Sequence, residues 1–135
     1  MAIFEWKDSY SVKVPTIDAQ HKKLVALINE LHEAMSQGKS KDVLAKILNE
    51  LVDYTKIHFA TEEKILEQNK YPKLASHKQE HVNLTNQVLA LKHDFENGKV
   101  TISIEVLTFL KDWLKNHILG VDQQYSDLLV ANGVK

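Results

Sequence analysis

The chain has 135 residues, 44% of them hydrophobic and 26% charged, which predicts one globular domain over residues 1–135 with a buried core. A formal net charge of −1, from 17 basic and 18 acidic residues spread along the chain, argues against nucleic acid as a partner, and the absence of cysteine excludes disulfides and thiolate metal ligands. The sequence has neither a secretion signal nor the roughly 18 consecutive apolar residues of a membrane span, so we expect a soluble, cytoplasmic protein.

The first 16 residues have no helical periodicity and predict an extended N-terminal arm. Its aromatic side chains are expected to cover one flank of a helical bundle. They are Phe4, Trp6 and Tyr10. Helix 1 is predicted to begin at an N-cap, Asp18, and to end near Gln37, because Gly38 is a typical C-terminal stop.

Helix 2 is predicted to begin after Ser40, which can cap its N-terminus. The segment 69–72 breaks that helix and places Pro72 in the first turn of helix 3, where proline is tolerated. Helix 3 should end before Gly98.

Helix 4 has two candidate caps, Thr101 and Ser103, and is predicted to continue through His117. Gly120 is then expected to break the helix. Residues 123–130 predict a short closing helix.

Apolar residues recur at alternating steps of four and three along each long helix, which predicts an all-α, up-down-up-down four-helix bundle. Polar residues interrupt these apolar faces near the starts of helices 1 and 3 and near the ends of helices 2 and 4. They are His21, His58, Glu62, His77, His81 and His117. All six therefore fall at one end of the bundle. Each would cost about 1–3 kcal/mol or more if buried without a partner, so a metal site is indicated.

The spacing of these residues supports metal binding. Pairs four residues apart, such as His77 and His81, stack on one helix face. Asp122 follows His117 by five residues, which would put the two on different faces of an ideal helix unless Gly120 redirects the chain. His32 and His93 lie off the apolar faces, and we interpret both as ordinary, partly exposed histidines.

With these residues the chain resembles the hemerythrin family, in particular the single-domain bacteriohemerythrins, over nearly its whole length. The matching segments are Ile17-Asp18-Ala19-Gln20-His21, His58 with Glu62, His77 with His81, and His117 with Asp122. The resemblance implies a non-haem di-iron centre that binds O2 reversibly.

The resemblance also implies a role for each ligand. One iron would be held by three histidines, the other by two, and two carboxylates would bridge the irons beside an oxo or hydroxo group. The three histidines are His77, His81 and His117; the two are His21 and His58; the bridges are Glu62 and Asp122. Filling two octahedral ions in this way leaves a single position open, on the iron with two histidines, where O2 would bind.

The open coordination position needs apolar side chains around it that exclude water. Phe59 and Leu114 are predicted to be pocket walls, whereas Trp113 fits a wall or the plain core equally well. The ligands alone do not identify the metal, because nitrogen and oxygen donors also accept other divalent ions.

Three functions remain in competition. The first is a protein, not an enzyme, that carries, stores or delivers O2, expected as a monomer with an O2-consuming protein as one candidate partner. The second is a di-iron oxidase, peroxidase or nitric-oxide-handling protein, but no acid, tyrosine or lysine is found on the apolar faces beside the open position. The third is an O2-sensing module.

Overall fold

The structure, a computed structural model, describes residues 3–99 and 101–135; Met1, Ala2, Val100 and the side chain of Val121 lie outside the described residues. Within this part of the chain there are four long helices and one short one. They are α1 (Pro15–Ser36), α2 (Lys41–Gln68), α3 (Leu74–Glu96), α4 (Ile104–Asn116) and α5 (Ser126–Ala131). Helix α1 packs against α2 and α4, and α2 packs against α3, so the predicted all-α, up-down-up-down bundle is confirmed. None of the described helices combines the length and the apolar character needed to cross a membrane.

Side-chain caps define two of the helix starts. Ser40 Oγ accepts a hydrogen bond from the Val43 amide at 3.4 Å, and Ser103 Oγ accepts one from the Val106 amide at 3.3 Å. Ser103 is therefore the cap of α4, and Thr101 is not.

The turn between α2 and α3 differs from its prediction. Lys70, two residues after the end of α2, takes a left-handed φ of 55°, which reverses the chain. Pro72 lies in the turn itself, and α3 begins two residues later at Leu74, whose amide donates to the Tyr71 carbonyl at 3.2 Å. The prediction of Pro72 in the first turn of the helix was therefore wrong.

Asp18 is not the N-cap of α1, because the helix begins three residues earlier at Pro15, whose fixed φ suits a first helical turn. The Asp18 carboxylate instead accepts hydrogen bonds from the Val12 amide at 2.9 Å and from Ser11 Oγ at 2.5 Å. It therefore ties the N-terminal arm to the start of the helix.

The N-terminal arm covers a flank of the bundle, as expected, but contains a 3-10 turn at Asp8–Tyr10. Phe4 is buried, and its backbone amide and carbonyl both bond the side chain of Asn29, at 2.9 and 2.7 Å. Further along the arm, the Val12 carbonyl accepts a 2.6 Å hydrogen bond from Ser126 Oγ. The arm is thus fixed to both α1 and α5.

Buried apolar side chains form two separate clusters. The bundle core occupies most of the length of the helices and includes Leu24, Leu31, Leu48, Phe59, Leu110 and Leu114. The end cluster comprises Val12, Val14, Ile17, Leu66, Tyr71, Tyr125 and Leu129. On α1, His21 lies between Ile17 of the end cluster and Leu24 of the bundle core, and on α2 Glu62 lies between Phe59 and Leu66. A polar layer therefore separates the two clusters.

Candidate metal centre

A π-helical turn at His117–Val121 follows α4 and brings Asp122 back beside His117. The Asp122 amide donates to the carbonyls of both His117 and Ile118. A hydrogen bond across five residues widens the turn by about one residue, so side chains five apart share a face. Gly120 has no left-handed φ, and the predicted break there was wrong: the helix widens and does not end.

The structure brings all seven predicted ligands together. His21 comes from α1, the pair His58 and Glu62 from α2, and the pair His77 and His81 from α3. Every one of the seven residues is at most 3% exposed. The predicted clustering at one end of the bundle is therefore present as geometry, and metal binding by these residues stays a prediction.

The ligand atoms form two overlapping groups, within each of which the atoms lie within 4.8 Å of one another. The three-histidine set is Glu62, His77, His81, His117 and Asp122. The two-histidine set is His21, His58, Glu62 and Asp122. Because both carboxylates belong to both sets, each can bridge two adjacent metal ions.

The donor atoms approach one another without being hydrogen-bonded. His21 Nε2 lies 2.9 Å from Asp122 Oδ2, and His117 Nε2 lies 3.0 Å from Asp122 Oδ1. Neither carboxylate oxygen of Asp122 has a hydrogen-bond partner among the described residues, and neither has the Nε2 atom of either histidine. His77 Nε2, by contrast, contacts Glu62 Oε1. Buried, unpaired nitrogen and oxygen donors aimed at common points are what a metal ion satisfies, so these residues fit one.

The carboxylates also control protonation of the metal-free site. Burial lowers the pKa of His21, but the nearby carboxylates of Asp122 and Glu62 outweigh it and raise the pKa from 6.5 to about 9. Burial also lowers the pKa of His117, but the charge of Asp122 outweighs burial, and the pKa is raised overall. At His58 burial prevails and lowers the pKa. Burial raises the pKa of Glu62, but the four histidines close to its carboxylate hold it well below its usual value.

Two outer partners orient the histidine rings. His58 Nδ1 lies 2.7 Å from Gln20 Oε1, and His81 Nδ1 lies 2.8 Å from Glu63 Oε2. Since a carbonyl or carboxylate oxygen can only accept, each ring donates through Nδ1, and in a neutral ring the inward Nε2 then carries a lone pair. Neither partner was predicted from the sequence. Gln20 adjoins His21 on α1 and Glu63 adjoins Glu62 on α2, so each contacts a histidine of the next helix.

Tyr125 is a third residue beside the site that was not predicted from the sequence, which indicates only a short closing helix there. Its ring is fully buried, with its centroid 5.6 Å from that of His77. Burial raises the pKa of its hydroxyl well above the usual value, and the charges of Asp122 and Glu62 add to the shift. The hydroxyl has no hydrogen-bond partner among the described residues.

A narrow apolar cavity, without room for a water molecule, borders the site. The predicted walls Phe59 and Leu114 line it, together with Trp113, Leu84 and His117. Phe59 stacks on His81, with ring centroids 3.9 Å apart, and its centroid is 5.7 Å from that of His58. The Phe59 ring therefore touches both ligand sets.

The remaining histidines lie outside the cluster. His32 is half-buried on α1 and His93 is exposed near the end of α3, where Asn97 contacts its ring. Neither belongs to a metal-binding group among the described residues.

Comparison with known proteins agrees with this geometry. The family model for the hemerythrin HHE cation binding domain matches residues 12–129, which is most of the chain. The chain belongs to the hemerythrin family. That assignment confirms the resemblance inferred from the sequence.

Relatives within the family match the chain along most of its length. A bacteriohemerythrin of Stenotrophomonas maltophilia is 36% identical and covers 98% of this chain and 85% of its own. One from Methylococcus capsulatus is 33% identical and covers 97% of this chain and 100% of its own. A crystal structure of wild-type hemerythrin superimposes with a TM-score of 0.88 at 32% identity, over 95% of this chain and 98% of that one.

Proposed function

We propose that this chain binds O2 reversibly at a non-haem di-iron centre and serves oxygen transport, storage or delivery. The observation that carries the proposal is the pair of overlapping ligand sets that share Glu62 and Asp122. One tetrahedral zinc ion uses four ligands, whereas seven buried ligands converge here, and two metal ions would use them all. Iron bound at both positions would supply the electrons for O2 uptake.

Each ligand has a proposed place. His77, His81 and His117 would hold one iron, and His21 and His58 the other, with Glu62 and Asp122 bridging them. This division follows the two sets of neighbouring atoms. Gln20 and Glu63 would fix the tautomers of His58 and His81, so that each ring presents a lone pair to the metal.

Apolar side chains would keep water from the centre. Phe59, Trp113 and Leu114 line the narrow cavity, and all three are at most 6% exposed. Excluding water prevents side reactions of a reactive ligand, so this lining suits an O2 carrier.

One observation favours an enzyme as the second candidate function, namely a di-iron oxidase or peroxidase. The buried Tyr125 hydroxyl beside His77 is unpartnered among the described residues and could donate a hydrogen atom or a proton. A carrier releases O2 unchanged under vacuum, whereas an oxidase consumes it. Measuring the O2 recovered under vacuum therefore distinguishes the two candidate functions.

Iron content and O2 uptake of the purified, iron-loaded protein test the proposal. We expect two irons per chain and one O2 released per two irons on each cycle of deoxygenation. His77→Ala should lose iron and O2 binding, whereas His93→Ala, which removes an exposed histidine outside the cluster, should retain both. One metal ion per chain, or mainly zinc after growth in iron-rich medium, would contradict the proposal.

The extent of the domain, the oligomeric state, the cellular compartment and the partner are proposals too. We propose that residues 1–135 act as one hemerythrin-like domain, as a monomer in the cytoplasm, with an O2-consuming protein as the recipient. The role of an O2-sensing module has no supporting feature among the described residues.

A further inference from the structure

The two ligand sets have outer partners of different charge. In the three-histidine set, His81 donates to the carboxylate of Glu63 at 2.8 Å. In the two-histidine set, His58 donates to the amide oxygen of Gln20 at 2.7 Å. The outer nitrogens of His21 and His117 have no hydrogen-bond partner among the described residues. The described structure therefore gives one set an anionic partner and the other a neutral one.

Glu63 lies on the outer side of the centre. Its side chain is 27% exposed, and it lines a surface groove of about 370 Å³ between α2 and α3 together with His81 and Lys56. Its neighbour Glu62 is fully buried among the ligands. Glu63 thus contacts the centre through the His81 ring.

The charge of an outer partner alters the metal through the ring between them. A carboxylate that accepts the Nδ1 proton of an imidazole makes the other nitrogen a stronger electron donor than a neutral amide does. A stronger donor favours the more highly charged state of the metal. The set that contains His81 should therefore stabilise iron(III) more than the set that contains His58.

We propose that Glu63 is a positioning residue that holds His81 in its metal-binding tautomer and gives the three-histidine set the lower reduction potential. Gln20 would hold His58 in the same tautomer without adding charge, so the two-histidine set remains the easier one to reduce. This inference rests on the proposed di-iron function and adds to it an electronic difference between the two metal positions.

A pair of isosteric substitutions tests the charge. Glu63→Gln retains an acceptor oxygen and removes the charge, so the reduction potential of the iron-loaded protein should rise. Gln20→Glu adds the charge at the other set and should lower it. Redox titration with dithionite and mediators measures both, and the matched control is Glu67→Gln, the same charge change one turn along α2 at an exposed position.

Glu63→Ala tests positioning, because it removes the acceptor altogether. Without an outer partner the affinity for iron(II), measured by competition with a chelator, should fall about 10- to 100-fold. In the metal-free protein, nitrogen-15 NMR should show His81 protonated at Nδ1 in the parent and in Glu63→Gln, and a mixture of tautomers in Glu63→Ala.

Equal reduction potentials in Glu63→Gln, Glu67→Gln and the parent would overturn the inference. An equal shift of the potential in Glu63→Gln and Glu67→Gln would also overturn it, because it would indicate a general effect of charge. These outcomes differ from a failure of the proposed function. A parent protein that loads two irons but does not release O2 would refute the carrier and leave the redox comparison valid. A parent that loads no iron would refute both.

Discussion

Leu110 and Leu114 lie one turn apart on α4, and both are buried in the bundle core, but only Leu114 lines the cavity beside the candidate centre. Replacing either with Ala should cost about 2–5 kcal/mol of stability, since each loses a buried side chain. Only Leu114→Ala should open a path for water to the ligands. We expect it to retain two irons and to autoxidise much faster than the parent.

Leu110→Ala is the matched control for that prediction, because it has the same loss of volume away from the cavity. Its autoxidation rate, followed by the decay of O2-binding capacity with time, should stay close to that of the parent. If both variants autoxidise alike, general loosening of the core and not the cavity wall determines the rate. If neither changes, another side chain guards the centre, and Phe59 is the first to examine.

At the residue scale, the sequence was informative wherever a polar side chain interrupted an apolar pattern. His21 and Glu62 stood out in this way because a buried polar group needs a partner. Tyr125, Gln20 and Glu63 did not stand out. A tyrosine fits an apolar face, and the two outer partners occupy partly exposed positions, so their contacts depend on the packing of helices far apart in the sequence.

At the scale of elements, the π-helical turn makes a prediction about Gly120. A Cβ added there meets nothing within 4 Å among the described residues, and the backbone is not left-handed. Gly120→Ala should therefore be tolerated and should stabilise the protein by about 0.5–1 kcal/mol, because it lowers the entropy of the unfolded chain. A thermal or denaturant melt measures the change.

Gly38→Ala is the contrasting control, since Gly38 has a left-handed φ of 68° at the end of α1. That substitution should destabilise the protein by about 1–2 kcal/mol. Destabilisation of similar size by Gly120→Ala, with loss of iron, would show that the turn needs the freedom of glycine after all.

Helix ends could be predicted where the cap is local. Ser40 and Gly38 act within one turn of the residues they affect, and both were placed correctly. Asp18 failed because proline starts the helix earlier and leaves the carboxylate free to bond the arm. The π-helical turn could not be derived from an α-helical period; only the spacing of five between His117 and Asp122 indicated an irregularity.

At the scale of the whole molecule, protons and metal ions compete for the same side chains. The pKa of His21 is about 9 in the folded, metal-free protein and near its ordinary value of 6.5 when unfolded. The proton therefore stabilises the fold fully below pH 6.5, and this contribution is lost as the pH rises to about 9. A shift of that size corresponds to a loss on the order of 3 kcal/mol.

We therefore expect the melting temperature of the metal-free protein to fall between pH 6.5 and 9, and that of the iron-loaded protein to change far less. With metal bound, the His21 lone pair is in use and no proton is lost. Melts of both forms at several pH values across this window measure the difference. Parallel curves for the two forms would mean that His21 does not bind the metal.

The polar layer between the bundle core and the end cluster also determines how the protein unfolds. Without metal, few apolar contacts cross that layer, so α5, the Val12–Val14 part of the arm and the rest of the end cluster can open as one cooperative unit. The bundle core, which includes Phe4 and Tyr10 of the arm, stays folded. Metal ions bound at once to α1, α2, α3 and the π-helical turn would join the two units into a single one. Opening of the end cluster would then be the step by which iron enters or leaves, and we expect the rate of iron loss to follow the stability of the end cluster.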